Sequence, residues 1–366
     1  MKNSNKRLRF GVDVSCLTGH LTGIGKYTYQ VLSQLHLSKE FEIYYYSYQK
    51  PNKINLQNLH FHKSRFMSFH KHLRLLWTNF NLPSQLKIDK IDVFWFPSPR
   101  IPLFLPKNVK TIVTIHDFVY KFVPHTMKFY SLIMDQLYVP FSIKKSSKII
   151  CISQSTRKDL SVFYPDHYYK SFMIGVGISK KTTISKNLHY KKYILFVGTI
   201  EPRKNILTLI KAYKLLPVEI RADHKLIIAG HQGWGAVNIS ETIKKYNLIK
   251  DVIYLKSVKD DELTYLYKNA ICFVFPSLYE GLGIPLLEAM VSGLPIISSK
   301  INSSQEITNN CGYYFESRNI KELHSIIKRV LLDKKIRSEM SVLSLKQAKT
   351  FDWEKVNKKF RDLIIS

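Results

Sequence analysis

Short apolar runs rich in Val, Ile and Phe alternate along the chain with longer stretches whose apolar residues recur at helical spacing. The alternation predicts parallel sheets covered by helices rather than an antiparallel fold. In the first half, Leu8–Ser15, Val93–Pro97, Thr111–His116 and Lys148–Ile152 read as strands, with helical segments such as Gly25–Leu37 and Lys128–Lys145 between them. A polar stretch from Ser179 to Lys192 then precedes a new strand, Tyr193–Val197. The second half continues as helix Ile206–Leu216, strand Lys225–Gly230, helix Ile239–Tyr246, strand Val252–Leu255, helix Asp260–Asn269, strand Ile271–Pro276, helix Pro285–Ser292 and strand Pro295–Ser298. This is an α/β, doubly wound βαβ series. Two such Rossmann-like domains, facing each other across a cleft, are expected to bring the carboxyl ends of both sheets to one shared site.

A chain of 366 residues, 45% hydrophobic, is long enough for two α/β cores. Its basic N-terminus carries Asp13 inside the apolar stretch that a cleaved export signal would need, and no apolar run approaches the roughly 18 residues of a membrane span. A soluble or peripheral protein on the cytoplasmic side is expected. The four cysteines, Cys16, Cys151, Cys272 and Cys311, stand singly, without the paired spacing of a zinc site or disulfide framework. The formal charge of +29 makes the surface attractive to nucleic acid, an anionic membrane or phosphorylated substrates, although a codon bias toward Lys gives the same excess. Between His60 and Pro83, Phe66, Phe69, Leu73, Leu76, Trp77 and Phe80 fall three or four apart among Lys, Arg and His. One basic amphipathic helix is expected there, suited either to a membrane surface or to the first domain's core.

The most informative stretch runs Phe275-Pro-Ser-Leu-Tyr-Glu-Gly-Leu-Gly-Ile-Pro-Leu-Leu-Glu-Ala-Met290. A buried strand ends at Pro276, Gly281 and Gly283 follow, and Pro285 stands where a first helical residue is expected. Free N–H groups at such a helix start make an anion site, and the glycines let backbone approach a phosphate. Glu280 in the loop and Glu288 in the helix's first turn are expected to face one cleft, where sugar and ribose hydroxyls suit carboxylates. In Val197-Gly-Thr-Ile-Glu-Pro-Arg-Lys-Asn205, Arg203 and Lys204 lie at a strand-to-helix turn near that anion site. Cations there can stabilise a departing phosphate. No D-x-D motif for a metal occurs in the chain. His116 ends a buried strand in Thr111-Ile-Val-Thr-Ile-His-Asp117 and faces either the cleft or the core.

Glu280 to Glu288 matches the E-x7-E signature of the family-four retaining glycosyltransferases, inside a stretch that resembles their EGFGLPLLEAMACGVPVV block and runs on through Ser292-Gly-Leu-Pro-Ile-Ile297. The resemblance implies the GT-B fold, with residues 1–185 as an acceptor-binding domain, 186–345 as a nucleotide-sugar-binding domain and 346–366 as a final helix crossing back. It gives Glu280 the donor sugar, Glu288 the ribose, and the backbone of Gly281, Leu282 and Gly283 the distal phosphate, with Gly198 also in the donor site. Lys256-Ser-Val-Lys-Asp-Asp-Glu-Leu263 then frames the base near Val258. Ser15-Cys-Leu-Thr-Gly-His-Leu-Thr-Gly-Ile-Gly-Lys-Tyr27 fails the dinucleotide fingerprint but is similar to the family's TGIGRYT loop, so Gly23 and Gly25 are expected near the donor phosphate. Ile152-Ser-Gln-Ser-Thr-Arg-Lys-Asp159 and Phe351-Asp-Trp353 agree with the family too. Many members carry Arg directly after the strand's Val-Gly; this chain has Thr199, and Arg203 takes over that role.

By the same resemblance His116 lies beside the transferred sugar, with Asp117 fixing its ring, and front-face attack assisted by the departing phosphate takes the place of a protein nucleophile. The implied reaction moves a hexose, mannose first among the expectations, from a nucleotide-diphosphate donor such as GDP-mannose to a glycan or lipid-linked glycan in surface polysaccharide synthesis. No cofactor and no metal are expected. A nucleic-acid-binding protein is motivated by charge alone and lacks a matching motif. A sugar-nucleotide epimerase of the same fold would act without an acceptor, and an α-glucan phosphorylase would need a cofactor lysine site that nothing in the sequence indicates.

Overall fold

The computed structural model describes residues 7–18, 22–35, 40–51, 63–66, 74–178, 185, 190–235 and 237–366. The chain divides into two compact units: Met1–Phe118 with Ile133–Gly177 and Asp352–Ser366, and Val119–Leu132 with Ile178–Phe351. The inserted segment Val119–Leu132 and the return of the last fifteen residues to the first unit are departures from a simple halving of the chain.

The first unit holds a seven-stranded sheet made of β1 Leu8–Asp13, β2 Phe41–Ser47, β3 Lys63–Phe66, β4 Val93–Phe96, β5 Lys110–Ile115, β6 Lys148–Cys151 and β7 Ser171–Met173. Its order is β3-β2-β1-β4-β5-β6-β7, and every pairing is parallel. Phe10, Tyr45, Tyr46, Phe94, Trp95 and Phe96 are fully buried in it. Two of the polar tips in this apolar interior find partners, as burial favours. Trp95 Nε1 donates to Thr114 Oγ1 at 2.9 Å, and the Tyr46 hydroxyl donates to Asp89 at 2.9 Å. The amphipathic last helix, Trp353–Ile365, completes this core: Phe360 packs edge-on against Trp95 at 4.6 Å, and Lys148 Nζ caps the Leu363 carbonyl at 2.8 Å.

The second unit holds β8 Tyr193–Val197, β9 Lys225–Ala229, β10 Val252–Leu255, β11 Cys272–Phe275, β12 Ile296–Ser299 and β13 Gly312–Phe315. The order β10-β9-β8-β11-β12-β13 is again all parallel. Ile194, Phe196, Ile228 and Val274 meet Leu209, Tyr213, Leu323 and Val330 from the covering helices in one apolar cluster. Strands leave β8 in both directions, so the turns after β8 and after β11 lie side by side at the carboxyl edge, where doubly wound sheets place ligands.

Expected elements and observed ones agree in kind, with ends shifted by a residue or two, as for the helices Gly23–Leu35 and Phe129–Lys145. Strands β2, β3, β7 and β13 were not anticipated. The single helix expected over 60–83 is corrected: Lys63–Phe66 is a strand paired with β2, the helical run begins at Arg74, and Phe69 and Leu73 lie outside the described residues. Within that run Trp77 is buried, whereas Leu76 and Phe80 face solvent.

One close backbone approach holds the edge of β8 against β9. A Cβ on Gly230 would lie 2.0 Å from the Gly198 carbonyl oxygen, while the Gly198 N–H donates to Ala229 at 3.0 Å. Gly230→Ala is expected to destabilise the second unit by about 2–3 kcal/mol, because a backbone carbonyl cannot swing aside as a side chain can. Urea unfolding of the variant tests this, and an unshifted midpoint would show that the β8 turn yields freely.

Candidate active site

The turn after β8 is built to bond to the turn after β11. Pro202 opens a 3-10 turn, Pro202–Lys204, and Asn205 follows in the left-handed region at φ 53°, a conformation Asn tolerates better than most side chains. The Asn205 amide donates to the carbonyls of Pro276, 3.0 Å, and Ser317, 2.6 Å. The Leu278 N–H returns a bond to the Arg203 carbonyl at 2.9 Å.

These bonds bring Arg203, Lys204 and Glu280 together. Glu280 is buried at 8% exposure. Its Oε1 accepts from Lys204 Nζ at 2.5 Å and from Ser277 Oγ at 2.9 Å, and its Oε2 accepts from Arg203 Nη1. Arg203 also donates to the Tyr279 carbonyl at 3.2 Å and, through Nη2, to Glu201 at 2.8 Å. The Lys204 ammonium lies over the Phe275 ring at 5.5 Å. Burial works against the Glu280 charge, but Arg203 and Lys204 outweigh it, and with the Lys204 and Ser277 hydrogen bonds they pull the carboxyl down to about 2. It is ionised at any working pH.

Gly281, Leu282 and Gly283 follow, all buried. Gly283 caps the helix Ile284–Val291 at φ +110°, a left-handed geometry that a side chain would strain. Pro285 is the helix's second residue rather than its first, and Glu288 lies in the second turn rather than the first. Glu288 is half-buried, and its Oε2 accepts from the Tyr267 hydroxyl at 2.9 Å. Burial, reinforced by the Glu288 charge, raises that phenol well above its ordinary value, so it stays a neutral donor. Gly198 directly follows β8, and Val258 is half-buried in the loop between β10 and the helix Asp260–Asn269.

In the first unit, Gly23 and Gly25 sit in the first turn of the helix Gly23–Leu35, while residues 19–21 of the glycine-bearing loop lie outside the described residues. The same helix places the Tyr27 ring edge-on to His116 at 5.7 Å. His116 follows β5, and its Nε2 is 2.7 Å from the Pro97 carbonyl. The ring is therefore oriented by Pro97 and Tyr27, where Asp117 was the expected partner. Burial lowers its pKa to about 4, against a smaller opposing effect of the Pro97 bond. A neutral ring against a carbonyl must carry its proton on Nε2, which leaves Nδ1 as an acceptor.

Sequence reasoning did not single out Ser277, Tyr267 or the bridging part played by Asn205. Ser277 and Asn205 lay inside recognised motifs, but Tyr267, on a different element, gave no signal. Among the described residues no three His, Cys, Asp or Glu side chains gather as a metal cluster would.

Two family models match the chain, one described as glycosyltransferase family 4 over residues 21–168 and one as glycosyl transferases group 1 over residues 179–343. The O-antigen chain mannosyltransferase B of Escherichia coli is 38% identical over 46% of this chain and 44% of its own length. The O-antigen chain mannosyltransferase RfbU of Salmonella typhimurium is 28% identical over 60% of each. The chain thus matches less than two thirds of the length of these curated relatives. Among solved structures, the sucrose-phosphate synthase of Thermosynechococcus elongatus superposes with a TM-score of 0.77 at 16% identity, covering 98% of each chain. WaaG, a glycosyltransferase involved in lipopolysaccharide biosynthesis, does so at 0.72 and 16% identity, over 98% of this chain and 99% of its own. With two parallel Rossmann-like units, a fold shared with these structures, and family models spanning most of its length, the chain belongs to glycosyltransferase family 4 and has the GT-B fold.

Proposed function

We propose that the chain is a retaining glycosyltransferase that moves a hexose from a nucleotide-diphosphate sugar to a glycan or lipid-linked glycan of a surface polysaccharide. The observation that carries this reading is the buried Glu280–Arg203–Lys204 network at the switch point of the second sheet. Two relatives named as O-antigen mannosyltransferases favour mannose and hence GDP-mannose as donor. A structural neighbour solved with UDP-glucose supports a nucleotide-sugar ligand for this fold, at 15% identity and TM-score 0.75. In this reading residues 1–185 bind the acceptor and 186–345 the donor. The enzyme works on the cytoplasmic side, peripheral to the membrane.

Cleavage of the bond from the anomeric carbon to the phosphate oxygen leaves the electron pair, and the charge, on that oxygen. Arg203 and Lys204 supply positive charge that is already oriented, which spares reorganisation as the leaving group departs. The acceptor hydroxyl attacks from the same face and gives its proton to the departing phosphate. A carboxylate offers about four acceptor positions. Three donors occupy Glu280, so Oε2 has capacity for one more, and a sugar hydroxyl fits that vacancy. Gly198 and Gly281–Gly283 approach the diphosphate with backbone, Gly23 and Gly25 border it, Val258 frames the base, and Glu288 holds the ribose. His116 accepts a sugar hydroxyl at Nδ1.

A thermal-shift screen against GDP-, UDP- and dTDP-sugars tests the donor class, since a ligand bound to the folded state raises the melting temperature. Stabilisation by none of them would sink the proposal. With a donor in hand, the anomeric proton of the product should show the donor's configuration by NMR, and an inverted linkage would overturn the retaining assignment.

Glu280→Gln should lower kcat by on the order of 10²-fold, because the contact it loses strengthens as the sugar becomes cationic. Glu288→Gln should chiefly raise donor KM, since a ribose contact is alike in ground and transition states. Steady-state titrations on variants with intact melting curves separate the two. Equal, small effects would dissolve the site.

Stability should fall on acidification in two windows. The folded His116 titrates near 4 and its unfolded counterpart near 6.5, so between those values the unfolded chain takes up a proton that the folded ring refuses. Glu280 titrates near 2 against 4.5 unfolded, so its contribution is whole above 4.5 and lost as pH falls through about 2. His116→Gln should flatten the upper window by about 2 kcal/mol without altering the lower one. Urea unfolding at neutral pH and near pH 4.5 measures it, and parallel losses in both proteins would exclude a buried neutral histidine.

A further inference from the structure

Two buried tyrosines of the second unit direct their hydroxyls at backbone. Tyr193 donates to the Leu266 carbonyl at 2.9 Å and Tyr213 to the His224 carbonyl at 2.8 Å, contacts that are complete within the fold. Tyr267 differs. Its hydroxyl donates at 2.9 Å to Oε2 of Glu288, a half-buried residue on another helix, and among the described residues no other hydrogen bond or ion pair reaches that carboxylate. One oxygen is held and the other is open.

The phenol that does the holding is itself fixed. Tyr267 is 3% exposed in the last turn of the helix Asp260–Asn269, and its ring packs against Phe273 at 5.8 Å. Phe273 and Phe275, both fully buried and two positions apart on β11, have ring centroids 6.3 Å apart, and the Lys204 ammonium lies over the second of them. One file of rings thus supports the hydroxyl that holds Glu288 at one end and the cation beside Glu280 at the other. The two glutamates are set on a common floor.

A glutamate side chain has several rotatable bonds, and without a partner its carboxylate turns to whatever donor or water is nearest. The bond from Tyr267 removes that freedom. A carboxylate so fixed is selective, because a hydroxyl in the right place completes it, whereas a ligand lacking that hydroxyl shuts it from water with nothing in exchange. The phenol stays protonated beside the Glu288 charge, so it remains a donor.

We propose that Tyr267 is a positioning residue of the donor site, which, by fixing Glu288, sets a preference for a ribonucleoside diphosphate over its deoxyribose counterpart. The inference rests on the reading of Glu288 as the ribose contact and adds the residue that makes this contact discriminating. Tyr267 is too buried to meet the ligand and acts only through the carboxylate. GDP- and UDP-sugars are then favoured over dTDP-sugars as donors.

Isothermal titration of the full chain with GDP, UDP and the 2′-deoxy and 3′-deoxy forms of each tests this. The unsubstituted chain should bind at least one of the two ribonucleotides, and loss of a ribose hydroxyl should weaken binding by about tenfold or more. Tyr267→Phe keeps the ring and its packing. It should bind the ribonucleotide about tenfold more weakly while changing little toward the deoxy form, so that the preference shrinks. A merely structural tyrosine would weaken both ligands alike, and the ratio of two ligands on one variant does not depend on any fraction unfolded. In a Glu288→Ala background, Tyr267→Phe should leave the ratio where it is, since there is no carboxylate to hold. An unchanged preference in Tyr267→Phe alone would overturn the proposal and leave Glu288 as a ribose contact. Equal binding of ribose and deoxyribose forms by the unsubstituted chain would overturn the ribose reading of Glu288 together with the proposal. Binding of neither GDP nor UDP would remove the donor site itself.

Discussion

A carboxylate shut away from water is tolerated only if other charges replace the solvent it has lost, and at Glu280 that replacement comes from Arg203 and Lys204 on a separate turn. The requirement runs both ways, because Lys204 is as buried as its partner. Loss of Glu280 would leave two cations without their shared counter-charge, and loss of both cations would leave a buried anion, so the turn after β8 and the turn after β11 are bound to a common geometry. The neutral bonds around them follow from it: Asn205 spans Pro276 and Ser317, Leu278 caps Arg203, and Ser277 fills the remaining lone pair of Oε1. Glu201 stands apart from this set. Its bond to Arg203 is at the half-exposed rim, where water and salt screen it, so it can open without disturbing the buried pair. A site arranged in this way holds its cations fixed while leaving one of their contacts exchangeable.

Much of this was readable from residue order, for identifiable reasons. Strands buried on both faces, such as Tyr193–Val197 and Cys272–Phe275, are apolar throughout and bounded by Gly or Pro, so their existence and parallel sense follow from local composition. β2 escaped because Phe-Glu-Ile-Tyr-Tyr-Tyr-Ser carries hydroxyls and a charge, and only the fold shows that Tyr44, Tyr45 and Tyr46 are all buried. The error over 60–83 has a similar origin. A spacing of three and four fits a helix whether or not the chain is helical throughout, and it says nothing of which apolar residues the core will take. Trp77 goes inward and Phe80 outward because the π-helical turn at 77–81 alters the angular step on which a face is reckoned.

The site was legible as a set of residues and less so as a set of contacts. Motif spacing brought out Glu280, Glu288, Arg203, Lys204 and His116, but it gave them ligands rather than one another. That Glu280 binds both cations depends on two turns 76 or so residues apart meeting at the sheet edge, a tertiary fact. His116 shows the same limit in smaller form. Its neighbour Asp117 was the natural partner by sequence, whereas the Pro97 carbonyl, from the adjoining strand end, is what holds the ring.

The two glutamates of the E-x7-E pair show how one residue type acquires two chemistries. Eight positions separate Glu280 from Glu288, but the intervening backbone is a loop and one turn of helix, so helical spacing does not relate them. Glu280 is flanked by full positive charges and has almost all of its acceptor capacity filled, which makes it a fixed anion whose remaining position is sensitive to charge growing nearby. Glu288 meets a neutral phenol at one oxygen and keeps the other for a second donor, a suitable arrangement for a hydroxyl that stays uncharged throughout a reaction. Exchanging their environments, rather than their identities, would exchange their electrostatic character. Tyr267 is therefore as much a determinant of the chemistry of Glu288 as the carboxylate itself, since replacing that phenol with a cation would make Glu288 a second paired anion like Glu280.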